Sequence, residues 1–569
     1  MDVDVTALVG RRAEDRWNRV CVGDLIERNV WGRPDQDAFV ALPGACTEPR
    51  FARLDYRQAN GVCDQLAQGF LARGLQRGDR VLLVCENSVE AVLIKLATAK
   101  AGLVAVPLNP SLAPDVLAHL AALTEPGLAV VDDELVAAAG PVLADAGVPI
   151  GITLTVTGGP VAEGSVGFGA FADAQPAVEP DGPVHGDDIY ELLFTSGTTA
   201  LPKGVMLSHT NATLSAHGFA LSLSRGVPAE EDVRLLSFLP VVYHVGDQIF
   251  TLSVLACGGT VIVGRRPEPG AIAAAIAQGR PTVLWGGSPQ LVKGVTGALE
   301  AGDVDAASLR VVVYGWGALE PAVLASLTAR CPEVRTMGIF GQTEAIACHR
   351  FWPDRHVETY RASAPAVNYV GLPHPLLASK VVDLDGADLV GAPGVPGEAV
   401  YRSPSVTHGY YRDPDATREA FRDGWFHSGQ LRLRRRRPAR DGRPLQGHHQ
   451  DRRRERVEPA GGVGARPAPG GRPGGGDRPA PRRLGRGRDR GGRPRAGSGG
   501  RRRRGHRVRP RAPRRVRDAQ AARGHRRPAG DRRRQGAQVQ APDRARGPLR
   551  GAHVSEIRGY GRELHSRTP

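Results

Sequence analysis

The order of apolar and polar positions predicts alternating strands and helices. Arg80-Val-Leu-Leu-Val-Cys85 is a short β-rich run, and Ser88 to Gly102 follows it with helical apolar spacing and a glycine stop. Val104-Ala-Val-Pro107 then reads as another strand, which completes a strand, helix, strand unit. Gly127 to Val131, Thr260 to Val263, Thr282 to Trp285 and Leu309 to Tyr314 are further strand candidates, with Ala- and Leu-rich helical segments between them. Alternation of this kind predicts an α/β fold of layered helices and buried sheets, with ligands near the C-terminal ends of the strands.

One apolar run matters for what comes after it. Ile189-Tyr-Glu-Leu-Leu-Phe194 reads as a buried strand and leads into Thr195-Ser-Gly-Thr-Thr-Ala-Leu-Pro-Lys-Gly204. A loop rich in hydroxyls and glycine is thereby presented at a strand's end, where a helix is expected to follow. Backbone N–H groups left open at Gly197 and Gly204, the hydroxyls of Thr195, Ser196, Thr198 and Thr199, and the Lys203 ammonium can together surround the oxygens of a polyphosphate. The pattern is not a Walker loop, because the spacing before Lys203 differs and no Ser or Thr follows it. A polar surface turn is the plain alternative for any Gly-Lys loop.

Charge divides the chain. The 569 residues suggest several domains and carry a formal net charge of +16. From Arg432 to Pro569, however, there are 43 Arg, no Lys and only 11 acidic residues, so residues 1–431 are net acidic at −16. The seven cysteines all lie in the acidic part, scattered without metal-ligand or disulfide-dense spacing, which fits a reduced compartment. No apolar run of about eighteen residues and no signal-peptide pattern is visible, so no transmembrane segment and a cytoplasmic location are expected.

Several stretches, in order, resemble the adenylate-forming (AMP-binding) superfamily, the acyl-CoA synthetases and their relatives. Thr195 to Gly204 resembles its signature loop, with Ala200 where the family carries glycine. Leu239-Pro-Val-Val-Tyr-His-Val-Gly246 resembles the segment bordering the acyl pocket, which implies Tyr243 and His244 there; by itself a lone histidine in an apolar run is more often a packed core residue. Tyr314-Gly-Trp-Gly-Ala-Leu-Glu-Pro321 resembles the adenine-binding turn. Gly315, Gly317 and Ala318 supply the small residues that let a flat base lie against backbone, while Trp316 is large for that turn. Ile339-Phe-Gly-Gln-Thr-Glu-Ala345 resembles the family's aromatic-Gly-x-Thr-Glu segment. The resemblance implies Phe340 and Gly341 at the nucleotide, Thr343 at the α-phosphate and Glu344 as the ligand of Mg²⁺, a role that suits a hard oxygen donor beside a polyanion.

Gly397 to Arg412 and Asp413 to Phe421, then Asp423-Gly-Trp-Phe-His-Ser-Gly429, are similar to the end of the family's large domain. Family members continue Gly-Asp-Leu, and that aspartate grips both ribose hydroxyls; this chain has Gln430, which accepts a hydrogen bond without the charge that strengthens the clamp. The implied organisation is an adenylate-forming domain over 1–431, with a small β-rich subdomain from about 350 to 431, and an Arg/Gly/Pro-rich tail over 432–569. That tail holds too few apolar groups to bury a core and is expected to be disordered.

The tail reads as the wrong frame of a GC-rich gene. Gln446-Gly-His-His-Gln-Asp-Arg-Arg-Arg-Glu-Arg456, back-translated and started one base later, can encode Lys-Asp-Ile-Ile-Lys-Thr-Gly-Gly-Glu-Asn-Val. This string resembles the family's hinge between its large domain and the mobile C-terminal domain, which carries the adenylation lysine. The resemblance as a whole implies ATP-dependent activation of a carboxylic acid, expected to be a fatty or related acid, with ATP, Mg²⁺ and coenzyme A as partners and impaired turnover in this chain. Two alternatives stay open. One is an acyl-AMP ligase that feeds a carrier protein. The other is an inactive remnant whose basic tail binds nucleic acid without specificity, since no specific nucleic-acid partner is expected.

Overall fold

The computed structural model describes residues 20–195, 201–228, 233–241, 243–383, 385–389, 392, 394–434 and 448–450, and the structural statements below refer to these. Two short strands come first, β1 (Asp37–Ala41) and β2 (Arg53–Asp55). Seven more form a sheet of their own: β3 (Arg80–Val84), β4 (Val104–Leu108), β5 (Leu128–Asp132), β6 (Ile150–Leu154), β7 (Val166–Gly167), β8 (Ile189–Thr195) and β9 (Lys203–Ser208), in the order β7-β6-β5-β3-β4-β8-β9. Its neighbours are parallel except β8 and β9, which are antiparallel. The run at 80–85 thus becomes β3, Ser88 caps the helix Val89–Lys100 through its hydroxyl, and 104–107 becomes β4, as the apolar pattern predicts.

A second sheet of fourteen strands takes in β1 and β2 together with the later part of the chain. Its parallel half runs through β10 (Arg234–Ser237), β11 (Thr260–Val263), β12 (Val283–Trp285), β13 (Val311–Tyr314) and β14 (Arg335–Gln342). From β14 it continues antiparallel through β15 (Ile346–Phe351), β16 (Asn368–Pro373), β17 (Ala378–Val382), β18 (Pro396–Arg402), β19 (Phe421–Arg422), β20 (Trp425–Arg434) and β21 (His448–Gln450). The parallel strands are buried on both faces, which explains their uninterrupted Val/Ile/Leu runs. The expected α/β layering and the β-rich wing are both present.

Two features depart from the pattern-based reading. The loop after β8 leads into a strand, β9, because Gly204-Val-Met-Leu-Ser pairs back along β8 from Thr195↔Lys203 to Ile189↔Ser208. The helix comes one element later, at His209–Leu223, where Ser208 and Asn211 form a reciprocal capping box. Within the Arg-rich tail, residues 432–434 and 448–450 are strand: β20 pairs with β18 and β21, and β21 with β16. Backbone pairing along a sheet edge needs no apolar side chains. The rest of the tail lies outside the described residues.

The core also contains charge. Lys95 and the Glu191 carboxylate form an ion pair, Lys95 Nζ lies 2.8 Å from Asp247 Oδ2, and all three side chains are buried. Tyr190 donates to both carboxylates and Gln248 donates to Glu191, so β8, the helix Val89–Lys100 and the π-helical segment Val245–Thr251 are fastened at one point. No helix among the described residues is long and apolar enough to cross a membrane.

Glu90, on the first turn of the helix Val89–Lys100, accepts from the Thr47 N–H (2.6 Å) and hydroxyl (2.9 Å), yet burial pushes its carboxyl up to about 7. The folded protein therefore keeps a proton that the unfolded chain releases at lower pH, and stability falls as pH rises from about 4.5 to about 7. Glu90→Gln is expected to flatten this decline, removing up to about 3 kcal/mol of pH-dependent loss. Denaturant unfolding at pH 5 and pH 8 checks it; parallel pH dependence in wild type and variant would reject it.

Candidate active site

The C-terminal end of β8 and the turns after β13 and β14 carry the residues singled out in the sequence. Thr195 ends β8 and Lys203 opens β9, directly paired across the hairpin. Ser196, Gly197, Thr198 and Thr199 lie outside the described residues. Gly204 sits where a side chain would have to enter between the Phe194 ring and Tyr411, with contacts of 3.0–3.3 Å, and its carbonyl accepts from the Tyr411 N–H at 2.7 Å. The close approach explains why this position holds glycine.

The segment around Tyr410 is the part of the site that the sequence did not reveal. Tyr410 bridges to Val205 beside β9, which brings its ring over Lys203, with Nζ 5.1 Å from the centroid. Its hydroxyl donates to Glu344 Oε1 at 2.9 Å, and the Thr407 N–H donates to the Glu344 carbonyl at 2.7 Å. Burial pushes the Glu344 carboxyl upward, while the Tyr410 hydroxyl and the charge of Lys203 pull it back. A tyrosine in the Gly-Tyr-Tyr stretch at 409–411 carries no chemical signal of its own; its partner is 66 residues away in sequence and is set by strand pairing.

Thr343 and Glu344 occupy the tight turn between β14 and β15, with Phe340 and Gly341 on β14 just before it. Thr343 Oγ1 lies 3.2 Å from His244 Nδ1, which joins the Thr-Glu turn to the Tyr243-His244 segment. Burial pushes His244 down to about 4, so the imidazole is neutral at pH 7 and serves as a hydrogen-bonding wall rather than a charge. Gly315, Gly317 and Ala318 form the turn after β13, held by a hydrogen bond from the Gly315 N–H to the Gly287 carbonyl (2.9 Å). Trp316, between the glycines, has a left-handed backbone at φ 60° and is 65% exposed. Gln430 lies on β20; its side chain is outside the described set.

Glu344 suits a hard divalent cation: it is a carboxylate with burial pressing on its charge and no ion-pair partner among the described residues. Among those residues no group of three or more His, Cys, Asp or Glu is placed to hold a metal. A cation held by Glu344 would take its other ligands from phosphate oxygens and water, which is how magnesium is bound at nucleotide sites. Tyr410→Phe keeps the ring over Lys203 and removes only the hydrogen bond to Glu344. It is expected to weaken Mg²⁺-dependent ATP binding about tenfold, as loss of one charge-assisted hydrogen bond does. Calorimetric ATP titrations across Mg²⁺ concentrations check this, and unchanged affinity would remove Tyr410 from the site.

A crevice at the C-terminal strand ends, with a lysine hairpin, a Thr-Glu turn and a small-residue turn converging on it, defines a nucleotide-using α/β enzyme. The chain belongs to the AMP-binding enzyme family, whose model matches residues 26–411. A feruloyl-CoA synthase from Amycolatopsis sp is 32% identical over 383 residues, spanning 66% of this chain and 70% of that protein. The long-chain-fatty-acid–CoA ligase FadD13 of Mycobacterium tuberculosis is 28% identical, spanning 67% and 71%. Among solved structures, the anthranilate CoA ligase AuaEII in complex with anthranoyl-AMP superposes with a TM-score of 0.65 at 20% identity, over 76% of this chain and 77% of that one. The isolated N-terminal domain of FACL13 from Mycobacterium tuberculosis superposes with a TM-score of 0.61 at 22% identity, over 75% of this chain and 99% of that domain.

Proposed function

We propose that the chain activates a carboxylic acid with ATP as an acyl-adenylate, in the manner of an acyl-CoA ligase. The carboxylate attacks the α-phosphorus, the bond to the bridging oxygen of the β-phosphate breaks, and pyrophosphate leaves; the thiol of coenzyme A then attacks the acyl carbon and AMP departs. Thr195, Ser196, Thr198, Thr199 and Lys203 hold the phosphates, Thr343 meets the α-phosphate, and Gly315 to Ala318 take the adenine beside Phe340 and Gly341. Mg²⁺ held by Glu344 would offset part of the charge on the phosphates. Gln430 faces the ribose with an amide where the family has a carboxylate.

The observation that carries this reading is the convergence of Lys203, Glu344 and Tyr410 on one side of Thr343 and His244 on the other. The family match that stops at residue 411, and the near-complete overlap with an isolated N-terminal domain, support a chain that supplies the nucleotide-binding half of the reaction. Acid-dependent exchange of labelled pyrophosphate into ATP tests it, run with a panel of aryl and alkyl acids. Slow exchange that requires both acid and Mg²⁺ is expected. ATP binding with no acid-dependent exchange at any enzyme concentration would refute it.

A further inference from the structure

Trp316 combines two features that each cost free energy. A non-glycine residue at φ 60° is strained, and a tryptophan 65% exposed leaves a large apolar face in water. Glycines flank it on both sides, so the turn was free to place a small residue there. The indole is held rather than loose: it meets the Trp285 ring edge to face, with centroids 5.6 Å apart. Trp285 in turn packs on Phe250 at 4.7 Å, and Phe250 belongs to the π-helical segment that begins just after His244. An aromatic row thus runs from solvent at Trp316 inward to the segment that carries His244.

The row also has a side. Trp285 ends β12, whereas Phe340 lies on β14, and β13 with its turn stands between them. Trp316 therefore leans away from the strand that carries Phe340 and toward the His244 segment. Behind it the row is closed, since Trp285 and Phe250 are 3% and 0% exposed, so a ligand on Trp316 meets a flat ring and no depth along the row in which to run an alkyl chain.

We propose that Trp316 is a specificity-determining residue that stacks the planar ring of an aryl carboxylic acid, selecting such acids over alkyl acids; this rests on the acid-activating reading above. Stacked aromatic pairs gain free energy beyond the area they bury, which a linear chain on the same face does not.

The test is direct binding to the full chain, without turnover, followed by tryptophan fluorescence and calorimetry. The probes are 4-hydroxycinnamate, decanoate and AMP, each with wild type and Trp316→Gly, a substitution that relieves the left-handed backbone and so preserves folding. The aryl acid is expected to bind more tightly than decanoate, and Trp316→Gly to lose about tenfold or more in affinity for it while AMP affinity stays unchanged. Equal binding of decanoate, an unaltered aryl affinity in Trp316→Gly, or an equal loss for AMP would overturn the proposal, the last by assigning Trp316 to the adenine ring. Aryl binding of the expected kind without acid-dependent pyrophosphate exchange would leave the stacking role standing and remove the reaction.

Discussion

Glu344→Gln is expected to lower acid-dependent ATP–pyrophosphate exchange by about a hundredfold to a thousandfold, the loss that follows removal of one charged group acting on the transition state. The amide can still accept the Tyr410 hydroxyl at Oε1, so the turn between β14 and β15 keeps its geometry. What disappears is the negative charge that holds a cation against the phosphates and balances Lys203 across the Tyr410 ring. The effect is therefore expected in exchange rate and in Mg²⁺ dependence together, with thermal stability unchanged or raised, because burial penalises the charged form of Glu344. Exchange within a few fold of wild type, at the same Mg²⁺ concentration, would show that Glu344 is not the metal carboxylate. A parallel fall in exchange and melting temperature would show a structural role instead.

A chain translated one base later through the region preceding Gln446 is expected to turn over at least about a hundredfold faster than the chain as written. Residues 432–569 hold 43 arginines and no lysine, whereas the shifted reading of 446–456 yields Lys-Asp-Ile-Ile-Lys-Thr-Gly-Gly-Glu-Asn-Val. A restored C-terminal domain would bring a lysine to the developing charge at the α-phosphate, and one such donor contributes about 2.7 to 4 kcal/mol. It would also exclude water from the adenylate as it closes. The overlap values fit this expectation: the chain covers 99% of an isolated N-terminal domain but 77% of the anthranilate CoA ligase chain. The nucleotide sequence spanning codons 425 to 460 is the first measurement. Stop codons in the shifted frame, or loss of the hinge string, would end the idea; equal rates for the two chains would show that the tail does not limit turnover.

The strands and helices of the parallel sheets were legible because each buries a continuous apolar run bounded by glycine, proline or a capping hydroxyl. Val81 to Val84, Val104 to Leu108 and Val311 to Tyr314 all form where the pattern places them. The chemical motifs were legible because phosphate and metal chemistry requires particular residue types within a few positions, as in the loop around Lys203 and the Thr343-Glu344 turn. The strand after the lysine loop was misread as a helix, since Gly204 to Ser208 shows apolar residues without a decisive period. Pairing with β8 settled it.

By itself the sequence determined the α/β class, the nucleotide-handling motifs and the break in character after about residue 431, because local periodicity, residue chemistry and composition are properties of short stretches. Only the tertiary structure decided what those stretches face. It placed Tyr410 on Glu344, set the neutral His244 against Thr343, fastened Lys95 between Glu191 and Asp247, and left Trp316 standing on an aromatic row. These partners lie tens to hundreds of residues apart in sequence. Sheet order and burial bring them together, and burial then sets the charge that each can carry.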